Sequence, residues 1–178
     1  MNLYVVRHCK ATGQEPGAPL TEAGRLQAEA LADLLADKGI DLIVSSPFER
    51  AKASAAPLAR RLGLPIHEDE RLGERVLAAD DLPDWLTHLE RSFIDPDLRL
   101  PGGESSREAS VRAAAAVDAV LARGARAPLV VTHGNLMTLL LRRFDDRFGF
   151  AQWQALSNPD VYLIGNRVER IWSPPAGS

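Results

Sequence analysis

The chain has 178 residues, of which 46% are hydrophobic, and this is enough to bury one sizeable core. A formal net charge of −3 argues against a nucleic-acid surface, because such surfaces normally carry a basic excess. One cysteine excludes an intramolecular disulfide, and the apolar runs are too short for a signal-peptide core or a membrane span, so a soluble cytoplasmic protein is expected.

The predicted strands are short and strongly apolar. Residues 3–6, 41–45 and 129–132 are rich in valine, isoleucine or leucine and end in polar residues, which is typical of strands buried on both faces. Near the end of the chain, residues 160–173 predict a further strand or a hairpin, and residues 173–178 predict a frayed terminus.

Three long helices are predicted between these strands. The first follows Thr21 and stops near Gly39, and the second spans residues 47–63. The third covers residues 109–123 and is preceded by a capping box of Ser105 and Glu108. Strands that alternate with helices predict an α/β fold, here a three-layer sandwich with a mostly parallel central sheet flanked by helices. The buried stripe predicted for the first helix consists of Leu26, Ala30, Leu34 and Leu35.

One segment does not follow the alternation of strands and helices. Residues 76–103 contain three prolines and the sequence "PGGES", with a short helix predicted around residues 85–93. An insertion of this kind between sheet elements is a candidate lid over a site. We therefore predict a single domain over residues 1–178 with an insertion at about 76–108, which we call the cap.

Polar residues of similar character follow each of the three central strands. Arg7 and His8 follow the first, Ser45 to Arg50 follow the second, and His133 and Gly134 follow the third. Ligands bind beyond the carboxyl ends of parallel strands, so these residues are expected to converge. Arginine suits phosphate oxygens and neutral imidazole is a competent nucleophile, which together indicate phosphoryl transfer.

Two other interpretations of these residues were weighed. A single histidine at a strand end is more often a packed core residue than a catalytic one, but two histidines beside phosphate-type donors weaken that interpretation. Cys9 suggests a cysteine phosphatase, whose phosphate loop needs an arginine after five intervening residues. Glu15 stands at that spacing, so Cys9 is interpreted as a small residue next to the nucleophile.

The motifs in their order resemble the phosphoglycerate mutase-like branch of the histidine phosphatase superfamily. "VVRHCKATGQ" resembles its Arg-His-Gly signature loop, and the resemblance continues through "LTEAGRLQAEALADLL", "VSSPFERAKASA", "DERLGER" and "VVTHGNLM". The similarity therefore spans nearly the whole chain.

The resemblance assigns roles to the residues at the strand ends. His8 would take the phosphoryl group as a phosphohistidine, which water then hydrolyses. Arg7, Arg50 and His133 would bind the phosphate oxygens. Gly134, at the start of the helix "NLMTLLLRRF", adds main-chain amides that favour an anion.

The resemblance places the general acid in the segment "DERLGER". Glu74 matches the position of the acid that protonates the leaving oxygen, and Glu70 is the competing carboxylate in the same segment. An exposed loop carboxylate with no catalytic role is the alternative for either.

Several further residues are candidates for contacts with phosphate or substrate. Gln14 stands where an asparagine commonly lines the phosphate pocket, and Lys10 and Cys9 depart from the family pattern of an acidic residue and a glycine. Thr12 supplies a hydroxyl or ends the turn. In the cap, Glu104 and Ser105 resemble the substrate-side loop, although capping of the third helix also explains Ser105.

The function predicted from the sequence is a phosphomonoester hydrolase that acts on a small phosphorylated metabolite. A cofactor-dependent phosphoglycerate mutase, a phosphohistidine protein phosphatase and a catalytically silent binding module are the alternatives. The length of the chain favours a phosphatase over the longer mutases. No cofactor or metal is expected, because the four histidines show no local ligand spacing. No nucleic-acid or membrane partner is expected, and a homodimer is left open.

Overall fold

A computed structural model describes residues 2–172 of the chain. The predicted frayed end at residues 173–178 lies outside the described residues. The strands are β1 (Leu3–Arg7), β2 (Leu42–Ser45), β3 (Ile66–Glu68), β4 (Pro128–Thr132), β5 (Asp160–Ile164) and β6 (Val168–Arg170). The helices are α1 (Glu22–Leu35), α2 (Glu49–Leu62), α3 (Trp85–Ile94), α4 (Ser106–Leu121), α5 (Gly134–Arg142) and α6 (Phe150–Gln154).

The six strands form one mixed sheet in the order β3-β2-β4-β1-β5-β6. The first four are parallel, and β5 and β6 form the hairpin at the antiparallel edge. The α/β class and the mostly parallel sheet are thus confirmed. The strand β3 was missed, because a three-residue strand is too short to show alternation. Since Arg7 pairs with Thr132 in the β1–β4 register, His8 and His133 leave the sheet side by side.

Helices cover both faces of the sheet, as predicted for a three-layer sandwich. Leu3 and Val5 pack with α4 and α5 on one face, whereas Tyr4 and Val6 pack with α1 and α2 on the other. Successive side chains of a strand point to opposite faces, so β1 contributes to both cores. The alanines of α4 at positions 109, 113 and 116 are fully buried, which lets this helix approach the sheet closely.

The stripe predicted for α1 is wrong in part. Leu26 is 70% exposed and Ala30 is exposed, whereas the buried residues are Gly24, Ala28, Leu31, Ala32 and Leu35. The reason is the contact between α1 and the loop after β1. A Cβ atom at Gly24 would lie 2.0 Å from the carbonyl oxygen of Lys10, so only a glycine at this position lets this face of α1 pack against the loop.

Arg75 connects the cap to the rest of the protein. Its side chain is buried, and its Nη1 donates to the hydroxyls of Ser92 in α3 and Ser106 in α4. The Nε of Arg75 donates to the carbonyl oxygen of Glu104. Three hydrogen bonds to one buried guanidinium therefore fix α3 against the start of α4.

The capping box predicted before α4 is present. The Ser105 hydroxyl accepts from the N–H of Glu108, and the Glu108 carboxylate accepts from the N–H of Ser105. The first turn of α4 occupies residues 106–108, at the end of the cap. In the described part of the chain, no helix has the length and apolarity needed to cross a bilayer.

Candidate active site

Two histidines meet where β1 and β4 end. The ring centroids of His8 and His133 are 5.1 Å apart, in an edge-to-face arrangement. Arg50, from the first turn of α2, donates through Nε to His8 Nε2 at 3.1 Å. His8, His133 and Arg50 are all buried, while Arg7 is partly buried beside them. The structure thus brings together the four residues that the sequence placed at the strand ends.

The imidazole of His8 is held in one tautomer. Its Nδ1 lies 2.7 Å from the carbonyl oxygen of Cys9, which can only accept, so Nδ1 carries the proton. Burial lowers the pKa of His8 to about 4, and the nearby Arg50 and Arg7 add to this effect. The ring is therefore neutral at pH 7, and the lone pair of Nε2, which accepts the Arg50 hydrogen bond in this structure, becomes the nucleophile when Arg50 turns to a phosphate oxygen.

The lowered pKa of His8 predicts a loss of stability in acid. The unfolded chain takes up a proton near the ordinary pKa of 6.5, but the folded chain does so only near 4. The free energy of unfolding should therefore fall as the pH drops from 6.5 to about 4, by roughly 3 kcal/mol from His8. Urea unfolding at several pH values measures this slope.

The control for the acid effect is His8→Asn, which has no titrating group at this position. The carboxylates are the same in both proteins. The pKa of His133 is lowered first by burial and then by His8, so His133 destabilises the variant in acid no more than the wild type. The wild-type protein should lose more stability than the variant over this pH range. If the free energy of unfolding changed with pH in the same way in both proteins, a buried neutral His8 would be contradicted.

The two ring nitrogens of His133 differ in their hydrogen bonding. Its Nε2 lies 2.8 Å from the hydroxyl of Ser46, and that hydroxyl also accepts the N–H of Phe48. In the tautomer whose Nε2 accepts the Ser46 proton, the ring hydrogen is on Nδ1. This Nδ1 is buried and has no hydrogen-bond partner among the described residues. An unsatisfied buried donor is costly unless a ligand binds it.

The two arginines are fixed by main-chain oxygens. Arg7 Nη1 donates to the carbonyl oxygens of Leu156 and Ser157, each at 3.3 Å. Arg50 Nη1 donates to those of Gln14 and Glu15, and its guanidinium lies over Phe48. Neither forms an ion pair with a described carboxylate, and the buried Nε of Arg7 has no described partner. Their positive charges are therefore positioned for an external anion.

The carboxylate of Glu74 lies at the N-terminus of α5. Its carboxylate accepts from the N–H groups of Asn135 and Leu136, both at 3.0 Å, and from its neighbour Arg75 at 2.8 Å. The anion at this helix terminus is thus a side chain of the protein, and not the phosphate that the sequence predicted for these amides. Gly134 instead gives space, because a Cβ there would lie 3.0 Å from Arg7 Nε.

A cleft of about 730 Å³ opens next to this cluster. Arg7, Gln14, Glu74 and Gly134 line one end of it, and the cap lines the other. His8 and His133 lie behind that end, because they are the sequence neighbours of the lining residues Arg7 and Gly134. Arg50 is also there, and its Nη1 donates to the carbonyl oxygen of Gln14. The competing acid Glu70 is exposed in the 3₁₀ turn Glu70–Leu72 and does not line the cleft.

Four of the weaker candidates do not line the cleft. Lys10 is exposed, and the hydroxyl of Thr12 donates to the carbonyl oxygen of Pro19. Ser105 is used as the cap of α4. Glu104 pairs with Arg112 and lines a neighbouring depression of about 420 Å³ that shares Glu74. In this structure, therefore, these four side chains form contacts within the protein or are exposed to solvent.

The rival nucleophile Cys9 is enclosed in the core. Its side chain is fully buried, and burial raises the pKa of its thiol to about 11. The N–H of Cys9 donates to the hydroxyl of Ser54, which fixes the loop. A protonated, inaccessible thiol is unsuited to attack on phosphorus.

Two positioning residues were missed in the sequence. Asn158 donates through Nδ2 to the carbonyl oxygen of His8 at 2.8 Å, although the two residues are 150 positions apart. No local sequence pattern predicts a contact between residues so far apart in the chain. Ser46 lies inside the motif "VSSPFER", but serine follows many strands, and its bond to His133 depends on the parallel pairing of β2 with β4.

Two buried histidines and two arginines without a described carboxylate partner meet where the parallel strands of an α/β fold end, which is an arrangement suited to enzymes that bind phosphate. More specifically, the chain belongs to the histidine phosphatase superfamily (branch 1), whose family model matches residues 3–164. Members of this superfamily are phosphatases or phosphoglycerate mutase-like enzymes. The resemblance seen in the motifs is thereby confirmed.

Two relatives from bacteria show the range of similarity. Uncharacterized protein Rv0525 of Mycobacterium tuberculosis is 32% identical over 196 residues, which cover 97% of this chain and 82% of that protein. The probable phosphoglycerate mutase GpmB of Salmonella newport is 32% identical over 158 residues, or 79% of this chain and 73% of that protein. The name of the second indicates a mutase, and that of the first indicates no activity.

Among solved structures, mycobacterial glucosyl-3-phosphoglycerate phosphatase Rv2419c superimposes with a TM-score of 0.75. It is 27% identical, and the match covers 96% of each chain. The similarity in architecture therefore extends over nearly the whole length of both chains.

Proposed function

We propose that this protein is a phosphomonoester phosphatase that works through a phosphohistidine at His8. The observation that carries the proposal is the neutral His8 imidazole, with Nδ1–H bound to the Cys9 carbonyl and Nε2 beside Arg50. In the first step a bond forms from Nε2 to phosphorus as the bond to the leaving oxygen breaks. Water then attacks the phosphohistidine, releases inorganic phosphate and restores the imidazole.

The remaining residues stabilise the charge and move the proton. Arg7, Arg50 and the Nδ1–H of His133 are donors for the phosphoryl oxygens, whose charge grows in the transition state. Glu74, on the cleft side of this cluster, gives a proton to the leaving oxygen and takes one from the attacking water. This assignment follows the family resemblance and is supported by the position of Glu74 in the cleft.

The charges of the cleft favour hydrolysis over the mutase reaction. A phosphoglycerate mutase must hold a bisphosphorylated intermediate, which carries a second phosphate and a carboxylate. Among the described lining residues the cations are Arg7 and Arg75, and Arg75 is already bound to Ser92, Ser106 and Glu104. The cleft therefore offers little to a second phosphate.

The test is a panel of phosphomonoesters incubated with the protein in buffer that contains EDTA. We expect release of inorganic phosphate at full rate, because arginines take the part that metal ions play elsewhere. In parallel, 3-phosphoglycerate primed with 2,3-bisphosphoglycerate is assayed for 2-phosphoglycerate. Isomerisation faster than phosphate release would favour the mutase, and activity that requires added metal would contradict the proposed mechanism.

We also propose that the substrate is a small phosphorylated molecule and that the protein is cytoplasmic. The cleft volume of about 730 Å³ supports the first proposal, because ligand pockets of this size suit small molecules. The single cysteine supports the second, because the chain needs no intramolecular disulfide.

A further inference from the structure

The part of the cleft away from the phosphate end is apolar and aromatic. Its lining includes Val76, Leu77, Leu82, Leu89, Trp85 and Trp153. The two tryptophan rings meet edge to face with centroids 6.1 Å apart, and Trp153 also stacks on Phe150 at 5.6 Å. Trp153 is thus braced from two sides, as a binding wall for a flat group would be.

Trp85 is left with an unpartnered surface. It begins α3 and remains 48% exposed, although a tryptophan side chain carries a large apolar area. Trp85 also lines the cleft, so its ring is within reach of a leaving group bound there. A ring placed there removes apolar area from water on both partners.

The charges around this part of the cleft exclude a second anion. Asp80 and Asp81 line the cleft next to Leu82, and neither forms an ion pair with a described residue. The cations of the lining are Arg7, at the phosphate end, and Arg75, whose Nε and Nη1 are occupied. A carboxylate or phosphate on the leaving group would therefore meet two like charges and no free cation.

We propose that the substrate is a phosphomonoester of an alcohol that carries an aromatic ring and is uncharged or cationic. This inference rests on the proposed function, which supplies the phosphate end of the cleft. The ring lies against Trp85 and Trp153, and a cationic group, where present, lies near Asp80 and Asp81. Sugar-acid phosphates and bisphosphates are disfavoured.

The first experiment compares esters whose leaving groups are all primary alcohols. The wild-type kcat/KM for 2-naphthylmethyl phosphate should exceed that for propyl phosphate by about tenfold or more, since the ring leaves water on binding. For the charge, 2-aminoethyl phosphate should exceed phosphoglycolate, of similar size, by about fivefold. Asp80→Asn combined with Asp81→Asn should remove most of this second difference.

Variants assign the ring preference to the cleft. Trp85→Ala should lower kcat/KM for the naphthylmethyl ester about tenfold and change that for propyl phosphate less than twofold. Phe144→Ala is the matched control, because Phe144 is also partly exposed, at 39%, but does not line the cleft. Phe144→Ala should leave kcat/KM unchanged for both esters. Equal losses on both esters in Trp85→Ala would overturn the assignment.

A binding measurement separates this inference from the proposed function. Calorimetric titration with 2-naphthylmethylphosphonate and with propylphosphonate needs no turnover, and the first should bind about tenfold more tightly. If no ester is hydrolysed but the naphthyl ligand binds more tightly, the proposed function fails and the preference stands. If esters are hydrolysed at equal kcat/KM and both phosphonates bind equally, the preference is overturned and the phosphatase stands.

Discussion

His8→Asn should lower phosphatase turnover by about four to six orders of magnitude, because it removes the atom that attacks phosphorus. Asparagine retains an amide donor for the Cys9 carbonyl, so the loop geometry is kept while Nε2 is lost. Turnover is measured as released phosphate with an alkyl phosphate. Phosphohistidine is labile in acid, so the intermediate is trapped at alkaline pH. A ³²P-labelled substrate should leave label on the wild-type chain and none on the variant.

Cys9→Ser is the matched control, one residue away. Its thiol is fully buried, and its pKa of about 11 keeps it protonated, so the variant should keep most of its activity. A modest loss of stability is expected, because a hydroxyl replaces a thiol in an apolar site. Loss of turnover in Cys9→Ser with His8→Asn still active would restore the cysteine as nucleophile.

Glu74→Gln should produce a loss that depends on the leaving group. For an alkyl phosphate the departing alkoxide needs a proton, and removal of the acid should cost about two to four orders of magnitude in kcat. For p-nitrophenyl phosphate the phenolate leaves readily, and the loss should be much smaller. Both rates are measured on the same preparation of folded protein.

The fold of the Glu74→Gln variant requires its own check. Glu74 accepts three main-chain N–H groups with its two oxygens, and glutamine turns one of those oxygens into a donor. A destabilisation of about 1–3 kcal/mol is expected, measured by urea unfolding. This change alone would reduce both rates equally, so the ratio of the two rates reports on the proton.

Glu70→Gln is the control for the position of the acid. Glu70 is exposed in the 3₁₀ turn, so its variant should match the wild type with both esters. A leaving-group-dependent loss in Glu70→Gln would move the acid there. Equal losses on both esters in Glu74→Gln would instead assign Glu74 to binding or folding.

The convergence of the site could be predicted from sequence because it depends on strand ends. Arg7, His8 and His133 each follow a short apolar run, and parallel strands bring such positions to one edge. The side chains that fix their tautomers could not be predicted in this way. Asn158 reaches His8 from beyond α6, and the Ser46–His133 bond depends on the register of β2 with β4.

The orientation of α1 shows why helix faces are less predictable than helix positions. The start after Thr21 was clear, because its hydroxyl caps the N–H of Gly24. The sequence offers leucines on more than one side, and hydrophobicity alone favoured the face with Leu26. The close approach of Gly24 to the Lys10 carbonyl decides otherwise, and such a steric contact with a distant loop leaves no periodic signal.

Glu74 and Arg75 are neighbours in the chain that are held by different parts of the molecule. The Glu74 carboxylate is bound to the main chain at the start of α5, while the Arg75 guanidinium holds the hydroxyls of Ser92 and Ser106. Consecutive Cα atoms are about 3.8 Å apart, so the proposed proton donor and the residue that holds the cap share one short covalent link. For redesign of specificity, exchange of residues 77–91 leaves this link intact. A graft that removes Ser92 takes away one of the three hydrogen bonds of the buried Arg75 guanidinium, directly beside Glu74 in the chain.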